Sequence, residues 1–377
     1  MSSFSENKRT YIMKDKTSSN SRFVWIDYTR VYAILFVVLC HATESYYGAV
    51  VRGEQTINFI PWIVENSLFT VGRLGVPLFL AITGALMLSR ELDPIRFYKK
   101  SLLPLVITTE IWIVFNYFFA CAFQGVLFQP VDLITEMLFL KSPELSHMWY
   151  MPMIIGVYVA LPFLAKLTSA FGNGRCFIVP GVLAAVSCIV VPTVNVFLKE
   201  ALPLNLSLDS KLDLSFLGGT YGIYLFGGYF IGNRKVLAKV HTLWITLGIC
   251  VALALNTAGQ YFLYSNHYYK SNRLLWYTSL GVCIAGLLFF ELLRRMYDKP
   301  ERQENRVIRM LARCSFGIYL LHKPLMVLAI EFLPLNSLNV MARIGCLVFI
   351  GAVISFLILL PFYLFLKRTG KVLFHIK

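Results

Sequence analysis

Residues Trp25–Glu44 read WIDYTRVYAILFVVLCHATE, a stretch dominated by apolar residues that nevertheless holds Arg30 near one end and His41 and Glu44 near the other. A bilayer core takes about 20 mostly apolar residues per helical crossing, so the segment reads as a membrane span. Ionisable groups inside such a span are costly and face a cavity or a partner. On a helix, Arg30 and His41 fall about 20° apart in azimuth and about 16 Å apart in depth. Glu44 follows three residues after His41, on nearly the same face.

Runs of the same kind recur along almost the whole chain. They are expected near Val24–Tyr47, Phe69–Leu88, Leu102–Phe123, Met148–Leu167, Phe177–Leu198, Phe216–Ile231, Leu243–Phe262, Leu274–Leu293, Phe316–Leu333 and Ile344–Leu366. The fold class expected is therefore an all-α integral membrane protein of about ten transmembrane helices. Composition agrees: 57% of the 377 residues are hydrophobic and 15% charged, with a mean hydropathy of +0.66, too apolar for a soluble globule of this size. Residues 1–22 are polar and precede any apolar run, so they read as a cytoplasmic tail rather than a cleavable signal peptide. Residues 23–377 read as one polytopic domain.

Lys and Arg concentrate in the cytoplasmic loops of membrane proteins. Placing the N-terminus inside puts 26 of the 35 basic residues on its side, which makes both termini cytoplasmic. That asymmetry, with anionic headgroups as partners, accounts for the net charge of +15 without nucleic acid. The eight cysteines lie singly with no metal-type pairing, and no P-loop, dinucleotide fingerprint, zinc spacing or nucleophile elbow is present. No metal is expected.

The oriented first helix suits a reaction fed from the cytoplasm. Arg30 at the mouth has the fork geometry that clamps phosphates; His41, backed by Glu44, has the makings of a general base near neutral pH. Arg96, Lys99 and Lys100 form a basic cluster on the same side and extend the possible phosphate site, although a positive-inside loop needs no such task. His322, in SFGIYLLHKP, approaches the depth of His41, whereas His147, in HMWYMP, is expected on the outer side. Glu110 and Asn116 in the third crossing are candidates to line the same cavity, interhelical hydrogen bonding being the preferred reading of both. Asp27, Arg73, Thr83, Trp149 and Tyr319 complete the cavity or acceptor candidates.

These residues resemble the membrane acyltransferase-3 family. The resemblance rests on Arg30, ten intervening residues and His41, preceded by Asp27, and on GRLGVPLFLAITG at Gly72–Gly84, RFYKK at Arg96–Lys100, HMWYM at His147–Met151, YLFGGYFIG at Tyr224–Gly232 and SFGIYLLHKP at Ser315–Pro324. The family's frequent F-F-x-x-S-G appears here as Leu78–Gly84 with Thr83 keeping a hydroxyl, and Lys99 replaces the second Arg of its basic loop.

The resemblance implies an O-acyltransferase that moves an acyl group, commonly acetyl, from cytoplasmic acyl-CoA to a hydroxyl of a cell-envelope glycan or lipid-linked sugar. It implies that Arg30 and the Arg96 region contact the nucleotide phosphates, that His41 serves transfer and that Glu44 orients it. The location expected is the plasma membrane, in a bacterium the inner one. The outer loops themselves offer His147, Trp149, Asn266, His267 and Tyr268 as acceptor contacts, aromatics with amides suiting sugars, against packing as the preferred role for most of them. The alternatives are an exporter or flippase of a polysaccharide or lipid-linked sugar, whose polar cavity needs no thioester chemistry, and a scaffold whose polar groups only lock helices.

Overall fold

The structure, a computed structural model, describes residues 24–51, 59–171, 175–198, 208, 212, 218–265, 273–299 and 304–376. The expected tail and the outer-loop residues Asn266, His267 and Tyr268 lie outside them. All regular structure among the described residues is helical, as a chain must be when lipid offers its backbone no hydrogen bonds.

The chain opens with α1 (Val24–Val51), then α2 (Phe59–Gly72), which meets α3 (Gly75–Met87) across a two-residue break at Arg73–Leu74. Next, α4 (Pro94–Phe97) runs through a π-helical turn, Tyr98–Leu102, into α5 (Leu103–Phe123). A short α6 (Pro130–Met137) and a 3-10 turn at Ser146–Trp149 lead to α7 (Tyr150–Ala170). Then come α8 (Ile178–Ala185), α9 (Val191–Val196), α10 (Gly219–Gly232), α11 (Thr242–Ser265) and α12 (Leu280–Tyr297). The last elements are α13 (Arg306–Phe332), α14 (Val340–Phe349), α15 (Ser355–Leu364) and α16 (Lys367–Phe374).

Eight helical stretches among the described residues are long and apolar enough to cross a bilayer. The expected crossings at Phe216–Ile231 and Leu274–Leu293 overlap α10 and α12 among the described residues, yet they differ from the other eight. The 14 residues of α10 are short for a span, and α12 carries Glu291, Arg294 and Arg295. The expected span Phe69–Leu88 begins earlier, at Phe59, because Glu65 and Asn66 interrupt an apolar run that in fact continues on the same helix.

Helix starts follow local chemistry. Asn305 caps α13 by accepting from the Val307 and Ile308 amides at 2.9 and 3.2 Å, Asn339 caps α14 through the Ala342 amide at 2.9 Å, and Asp93 precedes Pro94 and accepts from the Arg96 amide at 2.7 Å. Each satisfies an amide that has no partner inside the helix. Within the spans, threonine hydroxyls turn back onto their own helix, as when Thr29 donates to the Trp25 carbonyl at 2.8 Å and Thr43 to the Leu39 carbonyl at 2.9 Å.

Helix α1 is central, packing against α2, α3, α12, α13 and α14. The tightest crossing joins α3 to α10. A Cβ on Gly84 would overlap the Leu225 carbonyl oxygen, and one on Gly228 the Ala81 carbonyl. Small residues let backbones approach in this way where no aqueous hydrophobic force drives helix association. At the start of α1, Tyr28 stacks on Tyr297 at 4.0 Å, and Tyr32 and Tyr297 hydroxyls stand 3.1 Å apart. There Glu291, fully buried, accepts from Arg294 at 2.8 Å and from Arg295 at 2.6 Å, and Arg295 also donates to the Leu237 carbonyl at 2.6 Å. A buried carboxylate is tolerable only with such pairing, and the clasp ties α12 to the loop following α10.

Candidate functional site

Gly72 ends α2 against α1, where a Cβ would stand 2.6 Å from the Cys40 amide nitrogen. That close crossing brings the helix break beside His41. Helix α13 supplies Phe316, Tyr319, His322 and Lys323 from the opposite side, and the 3-10 turn before α7 inserts His147. A cavity of about 80 Å³ lies among them, its wall including Val37, His41, His147, Trp149, Tyr150, Tyr277, Phe316 and Tyr319, with His322 packed behind it against His41.

Three imidazoles meet there. The His41 ring centroid is 5.2 Å from that of His322 and 6.3 Å from that of His147, and the latter two are 5.2 Å apart. His41 Nδ1 lies 2.8 Å from Glu44 Oε2. The same carboxylate oxygen accepts from Lys323 Nζ at 3.0 Å, so Glu44 joins α1 to α13 and its charge is balanced. A carboxylate only accepts; it holds the proton on Nδ1 and leaves the His41 Nε2 lone pair available for a proton.

His322 is fully buried and is oriented differently. Its Nδ1 is 2.6 Å from the Tyr319 carbonyl and 3.2 Å from that of Ile318, which fixes the hydrogen on Nδ1, while Nε2 has no hydrogen-bond partner. His147 is 1% exposed, and neither ring nitrogen has a partner. The Tyr319 hydroxyl donates to the His147 backbone carbonyl at 2.6 Å and so pins its turn. Unpaired buried ring nitrogens of this kind are costly unless something binds them. Among the described residues, no group of three His, Cys, Asp or Glu side chains is arranged to hold a metal ion.

Arg73, at the break between α2 and α3, is 7% exposed. Its guanidinium carbon lies 4.7 Å from the Phe69 ring and 4.8 Å from the Trp276 ring, and Nη1 reaches the Tyr277 hydroxyl at 3.4 Å. The aromatic faces stabilise a cation that has left water. Tyr277 is also part of the cavity wall, as is Trp149, whose ring is 5.5 Å from it.

Arg30 is half-buried, 3.6 Å from Asp27, and within electrostatic reach of the Tyr158 hydroxyl. Tyr158 in turn packs on Phe97 at 5.7 Å, one residue from Arg96. Arg96 and Lys99 are exposed there, and Lys100 borders a separate basic cavity with Arg313, Lys367 and Lys371. Val37, two turns above Arg30, lines the histidine cavity.

Other candidates fall elsewhere. Thr83 donates to the Phe79 carbonyl at 2.9 Å on its own helix. Asn116 is buried with neither amide atom partnered, and Glu110 Oε2 has no partner either, so the expected interhelical hydrogen bonds are not made by these atoms. His147, expected before the fourth crossing and among the cavity or acceptor candidates, joins the histidine cluster. Lys323 was not among the sequence candidates. It adjoins His322 in the LLHKP run, but its bond to Glu44 spans most of the chain and has no local signature.

No curated protein and no solved structure matches the chain. The sequence model of the family described as an acyltransferase domain matches residues 23–362, and so takes in every helix that lines the histidine cavity. The chain belongs to the acyltransferase-3 family and is a membrane acyltransferase.

Proposed function

We propose that the protein is an O-acetyltransferase that takes its acyl group from cytoplasmic acetyl-CoA and places it on a hydroxyl of a cell-envelope glycan or lipid-linked sugar at the plasma membrane, both termini being cytoplasmic. The observation that carries the reading is the His41 Nδ1 to Glu44 Oε2 contact of 2.8 Å beside a cavity. A general base needs a free lone pair on one nitrogen and an orienting partner on the other.

In the reaction, His41 Nε2 removes the acceptor hydroxyl proton as the oxygen attacks the thioester carbonyl carbon. The carbon–sulfur bond then breaks, and the imidazolium returns the proton to the departing thiolate, leaving the ester and free CoA. Glu44 holds the imidazole and balances its transient charge. Arg30, below the cavity on the same face of α1, and the Arg96–Lys100 segment are the cytoplasmic phosphate contacts. Trp149 and Tyr277 border the cavity, Arg73 reaches the Tyr277 hydroxyl behind them, and these are the acceptor-side contacts, with aromatic faces suited to a sugar ring.

Membranes holding wild-type protein or His41→Ala at matched expression, supplied with labelled acetyl-CoA, test the reading by mass spectrometry of envelope glycan. Label should enter the glycan with wild type and be lost with His41→Ala. Loss of glycan export with unchanged acyl content in that variant would instead favour an exporter.

A further inference from the structure

Phe316, which lines the histidine cavity, meets a residue of a second, larger one. Near the C-terminus a basic cavity of about 700 Å³ is bordered by Lys100, Arg313, Lys367, Lys371 and His375, with no Asp or Glu in its lining. Four permanent cations collected round one opening without a carboxylate create a strong positive potential, and such a site attracts phosphates. Its volume is that of a small-molecule site rather than of a single ion.

The cations are held on a fixed frame. Helix α16 docks on α5, where Thr108 Oγ1 donates to the Val372 carbonyl at 2.8 Å and Trp112 Nε1 to the Leu373 carbonyl at 2.6 Å. Phe374, 6% exposed, packs between Trp112 at 5.7 Å and Phe362 at 4.9 Å. With that edge buried, Lys367 and Lys371, one turn apart, border the opening together. Across it, Arg313 sits one turn before Phe316 on α13. The His375 ring meets Phe316 edge-on at 5.7 Å, and Phe316 also lines the histidine cavity. The Phe316–His375 contact therefore joins the edge of the phosphate-attracting opening to the edge of the histidine cavity.

We infer that this C-terminal basic cavity holds the phosphate-bearing nucleotide end of the acyl donor, with Arg313, Lys367 and Lys371 as binding residues and Phe316 as the wall past which the acyl arm reaches His41. The assignment rests on the acyl-CoA reading above. A lipid headgroup offers the same phosphate chemistry at a membrane surface, but it needs neither a small-molecule volume nor a ring contact leading to the histidine cavity.

Titration calorimetry of CoA into purified full-length protein tests the site, with Lys367→Gln/Lys371→Gln, the charge-keeping Lys367→Arg/Lys371→Arg, and Arg313→Gln from the opposite wall. Wild type should bind CoA, and both neutralising changes should weaken binding about tenfold or more, as loss of charge-assisted phosphate contacts does. The arginine pair should retain the wild-type affinity. In acetyl transfer, KM for acetyl-CoA should rise with kcat little changed. Unaltered CoA affinity in both neutralised proteins overturns this subsite alone, whereas a wild type that binds no CoA overturns the donor reading as well. Mass spectrometry of co-purified lipid supplies the other arm: loss of phosphatidylglycerol from the glutamine pair with CoA affinity intact would assign the cavity to a headgroup and overturn the proposal.

Discussion

His41 and His322, on α1 and α13, stand 5.2 Å apart by ring centroid, yet their Nδ1 atoms answer to different partners: the Glu44 carboxylate for His41, the backbone carbonyls of Tyr319 and Ile318 for His322. Only the first has a negative charge to stabilise an imidazolium. Glu44→Gln keeps the shape and removes that charge, so it should lower kcat by roughly a hundredfold, within the range general-base catalysis supplies, and leave KM for the donor nearly unchanged. His322→Ala should also lower turnover more than donor binding, because its ring packs 5.2 Å from that of His41. Steady-state kinetics with labelled donor separates the two parameters; a raised KM at constant kcat in either variant would move that residue from transfer to binding.

Tyr319 holds the turn that carries His147 through its 2.6 Å bond to the His147 carbonyl. Tyr319→Phe leaves that carbonyl without its donor in a buried setting, a change that costs about 1–3 kcal/mol. Thermal unfolding in detergent should register the loss as a lower midpoint, accompanied by reduced turnover as His147 loses its position. A variant with wild-type midpoint and rate would show the bond to be dispensable.

The α3–α10 crossing should tolerate no side chain. Gly84→Ala and Gly228→Ala would each drive a methyl into opposing backbone, and backbone cannot swing aside as a flexible side chain does, so both should destabilise by at least about 1–3 kcal/mol. Gly156→Ala, where an added Cβ meets nothing within 4 Å, is the matched control. Comparable unfolding midpoints for all three would contradict the close crossing.

Outside the spans, Glu136 on α6 is 1% exposed, and burial pushes its carboxyl up to about 7 from 4.5. Between those values the folded state binds the proton more tightly than the unfolded chain, so Glu136 lowers stability as pH rises through the window. Glu136→Gln cannot ionise and should remove that decline. Unfolding midpoints between pH 5 and pH 8 should therefore fall less steeply in the variant than in wild type; parallel profiles would sink the assignment.

Much of the frame was legible because lipid imposes simple rules. Apolar runs of span length marked the eight helical stretches that, among the described residues, are long and apolar enough to cross, and the helical repeat put Arg30, His41 and Glu44 on one face of α1, where the Val37 and His41 side chains do border the cavity. Less legible were the segments in which polarity and apolarity mix. Glu65 and Asn66 hid the first part of the Phe59–Met87 span, and α10 and α12 depart from the span pattern through shortness and charge. A window average weighs composition, but cannot tell that a charged residue such as Glu291 is paired within the bundle.

The sequence by itself determined a helical membrane protein, the site-bearing face of α1 and the family to which the chain belongs, since each depends on residues near one another along the chain. The tertiary structure alone settled that His147 would join His41 and His322, that Lys323 would neutralise Glu44, that Arg73 would rest against Phe69 and Trp276, and that Phe316 would meet His375. Those relations join residues far apart in sequence. They exist because small residues such as Gly72 let helices close together, and that packing brings buried polar groups from separate segments into one water-poor space, where they must find partners or bind a substrate.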